Sequence, residues 1–207
     1  MTKQQYKVTG SDESYTLPSL VKGILPFIEE FKKTHKKDNI TIWCPFDVDT
    51  KLKYGNITLQ PSQYVKILKE AGYNVIHSHI ATGQDFFEYE PKEYYDLIVS
   101  NSPFGNKAKF FTRALELNKP FALVTTASWL NDGGLFNVFY KNNKQLQLLM
   151  SDKRSKFFNE NGLIDKGISF KAIYVCWNFL QGRDIDWFEL DRKIDKEFLN
   201  ETFNSRK

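Results

Sequence analysis

Apolar runs alternate with amphipathic stretches along most of this chain. Apolar residues recur at helical spacing from Ser19 to Lys33, which predicts a helix capped by Ser19 itself. The apolar run 40–46 is typical of a buried strand, and the polar segment 50–61 predicts a loop. A second amphipathic stretch, 62–71, ends at Gly72, a residue that readily adopts the left-handed conformation found at helix ends.

The alternation continues downstream of this second helix. It predicts strands at 73–80, 96–100 and 120–126, a loop at 81–95 and a helix at 107–117. Strands that alternate with helices are joined by crossovers in a parallel sheet, which helices cover on both faces. The pattern therefore predicts an α/β, Rossmann-like fold with a mostly parallel sheet.

The C-terminal third departs from this alternation. Residues 144–150 fit either a short helix or a strand. The apolar runs 168–180 and 184–190 are separated by Gln181-Gly182-Arg183, which is typical of a tight turn. We therefore expect these two runs to form a C-terminal antiparallel hairpin that completes the sheet.

Composition places the chain among globular proteins of one domain. Its 207 residues suffice for one well-filled core, so we expect a single domain that spans residues 1–207. Residues 1–13 are polar and expected to be flexible, and residues 14–38 should supply an N-terminal helix that leads into the first strand. A hydrophobic content of 41% excludes general disorder. No stretch resembles a membrane span or a signal segment, which predicts a cytoplasmic protein.

The formal net charge of +4 is unevenly distributed. From Gly83 to Asp96 there are five acidic residues and one basic residue, whereas from Gly105 to Lys171 there are eleven basic and five acidic residues. A basic surplus in the second segment suits a phosphate-rich partner such as nucleic acid. A solvated lysine surface is the alternative interpretation.

The cysteines and histidines do not predict a metal site. Cys44 and Cys176 lie in apolar runs and are expected in the core. His77 and His79 share one face of a predicted strand, but no third metal ligand is evident. We therefore expect structural roles for these histidines, unless one of them contacts a ligand.

The tetrapeptide Asn101-Ser102-Pro103-Phe104 follows a strand-like apolar run and is the strongest candidate site. The Asn101 side-chain oxygen and the next backbone carbonyl can accept the two hydrogens of a planar amine, while the aromatic ring stacks on its plane. An Asn close to a Pro is also ordinary turn chemistry, so a structural role is the alternative. The functional interpretation predicts a loop that binds a planar amino group.

Other polar residues follow the ends of the predicted strands. Parallel sheets bind ligands at the carboxyl ends of their strands, where the strand order reverses. Asp47 follows the first strand and His79 lies at the end of the second, so both are expected to line one crevice with Asn101. Asp85 and Phe86 lie one loop upstream and are placed to accept a ligand's amino group and to pack on its ring. Turn or helix-cap roles are the alternatives for both aspartates.

Several short motifs resemble those of adenine amino-methyltransferases that use S-adenosylmethionine. In that family the catalytic loop reads Asp/Asn/Ser-x-Pro-aromatic, a pattern that Asn101–Phe104 fits. The segments Trp43–Asp47 and Gly83–Phe86 occupy its first and third motifs, and Tyr15–Pro18 resembles its Tyr-Thr-Pro element with one inserted leucine. The chain is also similar to small phage-encoded members through Trp-Cys-Pro-Phe-Asp, Gly-x-Asp-Phe-Phe, Lys-Pro-Phe-Ala and Asp-Lys-Arg.

The resemblance implies a single-domain methyltransferase fold that transfers a methyl group from S-adenosylmethionine to the exocyclic amino group of a flipped adenine, in DNA in preference to RNA. The catalytic residues would be Asn101, Ser102, Pro103 and Phe104. The cofactor-binding residues would be Tyr15, Thr16, Pro18, Pro45, Asp47, His79, Asp85 and Phe86. The residues that contact nucleic acid would be Lys107, Lys109 and Arg113 at phosphates, and Trp129 as a second stacking surface unless it is a core residue.

Two features depart from the family pattern. No glycine follows the first strand, where the backbone usually approaches the cofactor closely, and the nearest one is Gly55. Ser102 replaces the proline of the commonest DNA-modifying form, although the carbonyl that would accept a hydrogen bond is retained. The alternative hypothesis is a catalytically degenerate methyltransferase-fold protein that binds a host defence protein and interferes with it.

Overall fold

The structure, a computed structural model, describes residues 14–159, 161–164 and 171–204. The strands within these residues are β1 (Tyr15–Thr16), β2 (Thr41–Cys44), β3 (Leu52–Tyr54), β4 (Ile57–Leu59), β5 (Asn74–His77), β6 (Leu97–Asn101), β7 (Phe121–Thr126), β8 (Gln147–Ser151), β9 (Phe157–Phe158), β10 (Ala172–Trp177) and β11 (Ile185–Phe188). The helices are α1 (Pro18–Thr34), α2 (Gln63–Glu70), α3 (Lys107–Glu116), α4 (Gly133–Val138) and α5 (Arg192–Leu199). The predicted flexibility of residues 1–13 concerns a segment outside the described residues.

Within this part of the chain, seven strands form the central sheet in the order β11-β8-β10-β7-β6-β2-β5. Neighbouring strands are parallel except at β10, which runs antiparallel to both β7 and β8. Residues of α1 and α2 pack with Ile42 and Cys44 on one face, and residues of α3 and α4 pack with Trp43 on the other. The prediction of an α/β fold with a mostly parallel sheet is confirmed.

The predicted C-terminal hairpin is wrong. Strand β10 is buried along its whole length and lies between two neighbours, whereas β11 pairs in parallel with β8 at the edge of the sheet. The connection between them is bound to β8, because the Gln147 side chain accepts from the backbone N–H groups of Phe179 and Leu180 and donates to the carbonyls of Leu180 and Arg183. These hydrogen bonds hold the connection against β8, and β10 and β11 lie on opposite sides of β8. Residues 168–170 of the first run lie outside the described residues.

Helix α1 begins one residue earlier than predicted, at Pro18, and Ser19 is not its cap. Instead, Asp195 of α5 accepts a hydrogen bond from the Ser19 backbone N–H at 2.9 Å and another from the Ser19 hydroxyl at 2.7 Å. A carboxylate at the positive end of a helix is favourable. Helix α5, which the apolar spacing did not predict, therefore fixes the start of α1.

Other segments refine the predicted pattern. The predicted loop 50–61 contains the antiparallel pair β3 and β4, and the undecided segment 144–150 contributes to β8. Cys44 and Cys176 are free thiols buried in the core, as predicted.

No helix in the described ranges has the length and apolar character needed to cross a bilayer. In those same ranges, no three His, Cys, Asp or Glu side chains are grouped as a metal site requires.

The strand order reverses at β2, because the chain proceeds from β2 to β5 on one side and then to β6 on the other. Strands β2 and β6 pair in parallel, with Ile42 opposite Leu97 and Trp43 opposite Ile98. Their carboxyl ends therefore lie at the same edge of the sheet. In parallel sheets, ligands bind in the crevice at such a reversal.

Candidate active site

A crevice with about 1040 Å³ of space free of protein atoms, part of it open solvent, lies beside the carboxyl ends of β2 and β6. The predicted site residues that line it are Tyr15, Thr16, Pro45, Asp47, His79, Asp85, Phe86, Asn101, Ser102, Pro103 and Phe104. The predicted residues outside the lining are Pro18, Lys107, Lys109, Arg113 and Trp129. The fold thus brings together strand ends, one loop and the N-terminal segment from distant parts of the sequence.

Asn101, the last residue of β6, is oriented by the N-terminal segment. Its amide nitrogen donates to the backbone carbonyl of Ser14 at 3.2 Å. Because a carbonyl can only accept, this contact identifies the nitrogen of the amide, uses one of its two N–H donors and leaves the side-chain oxygen Oδ1 outside the contact. Oδ1 is buried and has no hydrogen-bond partner among the described residues. A buried acceptor without a partner costs about 1 to 3 kcal/mol, so a ligand that donates a hydrogen here is favoured.

The rest of the loop is fixed by contacts with neighbouring strands. The Ser102 side chain is buried, and its hydroxyl donates to the Val124 carbonyl of β7 at 2.8 Å. A proline at this position would lack that hydrogen bond, so the Ser102 hydroxyl helps to fix the loop against β7. The Phe104 ring packs edge to face on Phe157, with centroids 5.9 Å apart, and this contact orients its plane.

Asp47 is buried after β2, where two hydroxyls hold its carboxylate. Ser62, the N-cap of α2, donates to Oδ1, and Ser100 of β6 donates to Oδ2. Burial raises the pKa of Asp47 to about 6, although both hydrogen bonds act in the opposite direction. Asp47 therefore connects β2, α2 and β6, and it gains or loses its charge near pH 6.

Asp85 lies on the loop between β5 and β6, next to an aromatic wall. Its Oδ1 accepts from the backbone N–H of Phe87 at 3.0 Å, which is the turn role that the sequence left open. Phe86 is almost completely buried, with its ring centroid 4.9 Å from that of Phe46. The Phe87 ring stacks on Phe110 at 4.8 Å between centroids. These four rings line the crevice and form its apolar side beside Asp85.

Strand β1 passes along the crevice between two other elements. Tyr15 pairs with Phe158 of β9 and packs on its ring, with centroids 5.4 Å apart. The Tyr15 hydroxyl donates to the Thr58 carbonyl of β4 at 3.5 Å. The Thr16 hydroxyl oxygen is buried and has no hydrogen-bond partner among the described residues. Tyr15 and Thr16 therefore line the crevice between β4 and β9.

His79 is buried and neutral. Its Nδ1 accepts from the backbone N–H of Ala81 at 3.0 Å, and it thereby caps the 3₁₀ turn Ile80–Thr82. Burial lowers the pKa of His79 to about 4. His77 points to a different partner, Asp49, at 3.2 Å. His79 therefore shapes the crevice as an uncharged side chain.

The predicted residues outside the crevice have identifiable structural contacts. Pro18 occupies the first turn of α1, where a residue without an N–H fits well. Trp129 is buried and packs on Phe111 with centroids 4.7 Å apart, so the core interpretation is the correct one and the stacking interpretation is wrong. Arg113 donates from Nε to the Phe86 carbonyl at 3.5 Å, which supports the aromatic side of the crevice.

The crevice is acidic. Asp47 and Asp85 are the carboxylates in its lining, and no lysine or arginine is among the described residues that line it. Lys107 and Lys109 lie in the first turn of α3, directly beyond the loop 101–104. Such a lining disfavours ligands bound through phosphate groups and favours a ligand with positive charge.

Three contributors to the site were missed by the sequence pattern: the Ser14 carbonyl and the hydroxyls of Ser62 and Ser100. Ser62 had a detectable signal, because a serine directly before an amphipathic stretch predicts a helix cap. The Ser14 and Ser100 contacts join residues far apart in sequence, so local spacing does not indicate them.

Comparison with known proteins leaves the family open. No family model and no curated protein matches the chain. Among solved structures, the chain is similar to a modification subunit of a putative type I restriction enzyme from Vibrio vulnificus YJ016, with a TM-score of 0.43 and 12% identity over 95% of this chain and 54% of that one. The chain therefore spans about half the length of that protein. The resemblance to adenine methyltransferases, including the phage-encoded members, stays a prediction.

Proposed function

We propose that this chain, as one domain, transfers a methyl group from S-adenosylmethionine to the exocyclic amino group of adenine in nucleic acid, in DNA in preference to RNA. The observation that carries the proposal is the state of Asn101. Its Oδ1 is buried beside the crevice without a partner among the described residues, while its amide nitrogen is already engaged by Ser14. An acceptor held in this way suits an amine hydrogen and disfavours a carbonyl oxygen.

The lining of the crevice fits S-adenosylmethionine, which carries positive sulfonium and ammonium groups and no phosphate. Two carboxylates, with no lysine or arginine among the described residues of the lining, suit such charges. A dinucleotide or a nucleoside triphosphate needs a glycine-rich turn or basic side chains instead. We assign Asp85 and the adjacent rings to the adenine of the cofactor, and Asp47 to its ribose or methionine end. The other residues that we assign to cofactor binding are Tyr15, Thr16, Pro45 and His79.

When bound, the cofactor supplies a methyl group activated by its positive sulfur. The protein's part is to position and polarise the target amine. Asn101 Oδ1 and the Ser102 carbonyl accept its two hydrogens, which raises the electron density on the nitrogen and orients its lone pair. Phe104 packs on the plane of the base, with its own ring held by Phe157. Positioning and electrostatics thus supply the catalysis.

The target base must leave its stack to reach these acceptors. Flipping a nucleotide out of a duplex costs a few kcal/mol. Lys107 and Lys109 lie at the start of α3, directly after the loop that carries Asn101. Their position suits the phosphates that flank the flipped nucleotide, and phosphate contacts of this kind fix register without reading sequence.

S-adenosylmethionine is expected to raise the free energy of unfolding by about 2.7 kcal/mol at 100 times its dissociation constant, because a ligand that binds only the folded state stabilises it. Calorimetric titration measures the affinity, and thermal melts measure the stabilisation. Tritiated methyl transfer to adenine-containing DNA and RNA, followed by nucleoside analysis, tests the reaction itself. NAD and ATP serve as controls that should not bind. If neither S-adenosylmethionine nor S-adenosylhomocysteine gives heat or a melting shift, the cofactor assignment is wrong.

One observation favours the alternative function, a catalytically degenerate protein that interferes with a host defence system. Residues 45–51 after β2 contain no glycine, and both carboxylate oxygens of Asp47 in this segment are engaged by serine hydroxyls. A cofactor group that binds Asp47 must therefore displace or share a hydroxyl. Cofactor binding without methyl transfer to either polymer would support this alternative.

The affinity for S-adenosylmethionine is expected to rise about tenfold from pH 5 to pH 7 and to level off above it. The reason is that Asp47, whose pKa burial raises to about 6, must lose its proton before its carboxylate can attract a positive ligand. Calorimetry across this range measures the profile. Asp47→Asn should make the profile flat, and His77→Ala controls for the nearby imidazole. A profile in Asp47→Asn as steep as that of the wild type would show that another group titrates.

A further inference from the structure

The start of helix α2 lies at the crevice. Beyond Val48 the chain forms the β3–β4 pair and then returns at Ser62, whose backbone N–H donates to the Val48 carbonyl at 2.8 Å. The Ser62 hydroxyl caps α2 by accepting from the Tyr64 N–H at 3.0 Å. Ser62 and Gln63, the first residue of the helix, both line the crevice. The positive end of the α2 dipole therefore lies at the crevice.

Gln63 carries a buried amide that the fold does not use. The residue is only 6% exposed, and no hydrogen bond joins its side chain to another described residue. A side-chain amide has two N–H donors and an acceptor oxygen, and burial without partners is unfavourable for both kinds of group. Because Gln63 lines the crevice, a ligand bound there can satisfy its amide.

Groups that suit opposite charges lie side by side at this position. Helix α2 has no acidic residue in its first turn, so its positive end suits an anionic group of a ligand. Next to it, the Ser62 hydroxyl donates to Asp47 Oδ1. Each carboxylate oxygen has two lone pairs, so Asp47 can also accept a hydrogen bond from a ligand cation. Ser62 thus joins an acidic side chain to the positive end of a helix.

This arrangement selects among the groups that a ligand could place here. A phosphate would bring up to two negative charges close to the Asp47 carboxylate, which is unfavourable. A simple cation would leave the Gln63 donors and the end of α2 unused. An α-amino acid carries an ammonium and a carboxylate on one carbon, and it needs both kinds of partner side by side. The methionine end of S-adenosylmethionine is such a group.

We propose that Gln63 and the first turn of α2 bind the carboxylate of the cofactor's methionine end, while Asp47 binds its ammonium group. The inference rests on the proposed function, in which S-adenosylmethionine is the cofactor, and it assigns Asp47 to the methionine end and not to the ribose. Gln63 donates from its amide nitrogen. A side chain thereby makes a contact near β2, where residues 45–51 contain no glycine to let the backbone approach closely.

Gln63→Glu is the decisive variant, because glutamate has nearly the same shape and is favourable in the first turn of a helix but repels a carboxylate. Calorimetric titration should show that it binds S-adenosylmethionine about 10- to 100-fold more weakly than the wild type does. Decarboxylated S-adenosylmethionine keeps both positive groups, and the variant should bind it at least as tightly as the wild type does. Gln63→Ala should weaken only the binding of the complete cofactor, about tenfold.

Lys66→Gln is the matched control. It lowers the net charge by one, as Gln63→Glu does, but changes an exposed side chain of α2 that is outside the crevice lining. It should bind both ligands as the wild type does, and thermal melts without ligand verify that each variant folds.

The inference is overturned if Gln63→Glu binds S-adenosylmethionine as the wild type does, or if it loses both ligands equally. An equal loss of S-adenosylmethionine affinity in Lys66→Gln would also overturn it, since the effect would then be one of overall charge. A wild type that binds neither ligand would refute the proposed cofactor and this subsite together. Cofactor binding that depends on Gln63, without methyl transfer to nucleic acid, would support the subsite and refute only the proposed reaction.

Discussion

Replacement of Asn101 by alanine is expected to lower methyl transfer by about 10²- to 10³-fold while leaving the affinity for S-adenosylmethionine almost unchanged. The variant removes Oδ1, the buried acceptor without a partner among the described residues, which we assign to the target amine. It leaves Asp47 and Asp85, the proposed cofactor ligands, in place. Single-turnover transfer assays measure the first quantity, and calorimetric titration with the cofactor measures the second.

Asn101→Asp separates this role from a structural one. Aspartate keeps an oxygen acceptor but loses the N–H that donates to the Ser14 carbonyl. If the acceptor matters most, this variant retains part of the activity. A purely structural Asn101 would make it at least as damaging as alanine, because a buried carboxylate would face a carbonyl oxygen. Parallel losses of melting temperature, cofactor affinity and transfer in Asn101→Ala would refute the catalytic assignment.

The interior strands could be predicted because burial leaves a local signature. Strands β2, β6 and β7 are continuous apolar runs, as expected for parallel strands covered on both faces, and each lies within its predicted range or extends it by one residue. The apolar runs of β10 and β11 were equally clear, but their partners were not. Their pairing depends on Gln147, whose side chain binds a connection more than thirty residues away. Local periodicity carries no information on such a contact.

In the candidate site, too, some features follow from local sequence and others depend on contacts between distant residues. Asp47, Asp85 and Asn101 could be placed in one crevice because a parallel sheet gathers its carboxyl ends at one edge. Which atoms remain available there depends on the Ser14 carbonyl and the Ser100 hydroxyl, and both contacts are tertiary. Sequence therefore indicated the residues of the site, and only the structure shows that Asn101 Oδ1 has no partner among the described residues while Asp47 is already engaged.

The exposure of the aromatic residues beyond β7 could not be predicted either. Trp129 and Tyr140 are eleven positions apart, and both side chains can stack on a flat ring. The structure buries Trp129 against Phe111 and exposes Tyr140. Helix α4 spans only six residues, which is too short for apolar spacing to define a buried face. The position of this segment is set by its packing on α3.

Asp85→Asn is expected to weaken S-adenosylmethionine binding about 10- to 100-fold, because a hydrogen bond from the ligand to a charged acceptor is lost. The turn itself should survive. Asp85 Oδ1 accepts from the Phe87 backbone N–H, and asparagine forms the same turn. Calorimetric titration measures the affinity, and a thermal melt without ligand measures the fold.

Comparison with Asp85→Ala distinguishes cofactor binding from turn formation. Alanine removes both the turn bond and the ligand contact, so it should weaken binding at least as much as asparagine and also lower the melting temperature. If Asp85 only forms the turn, Asp85→Asn will match the wild type in both measurements, and its cofactor role is refuted. A loss of affinity confined to alanine would follow from displacement of Phe87, which stacks on Phe110 at the side of the crevice. The asparagine variant therefore decides whether this carboxylate touches the ligand.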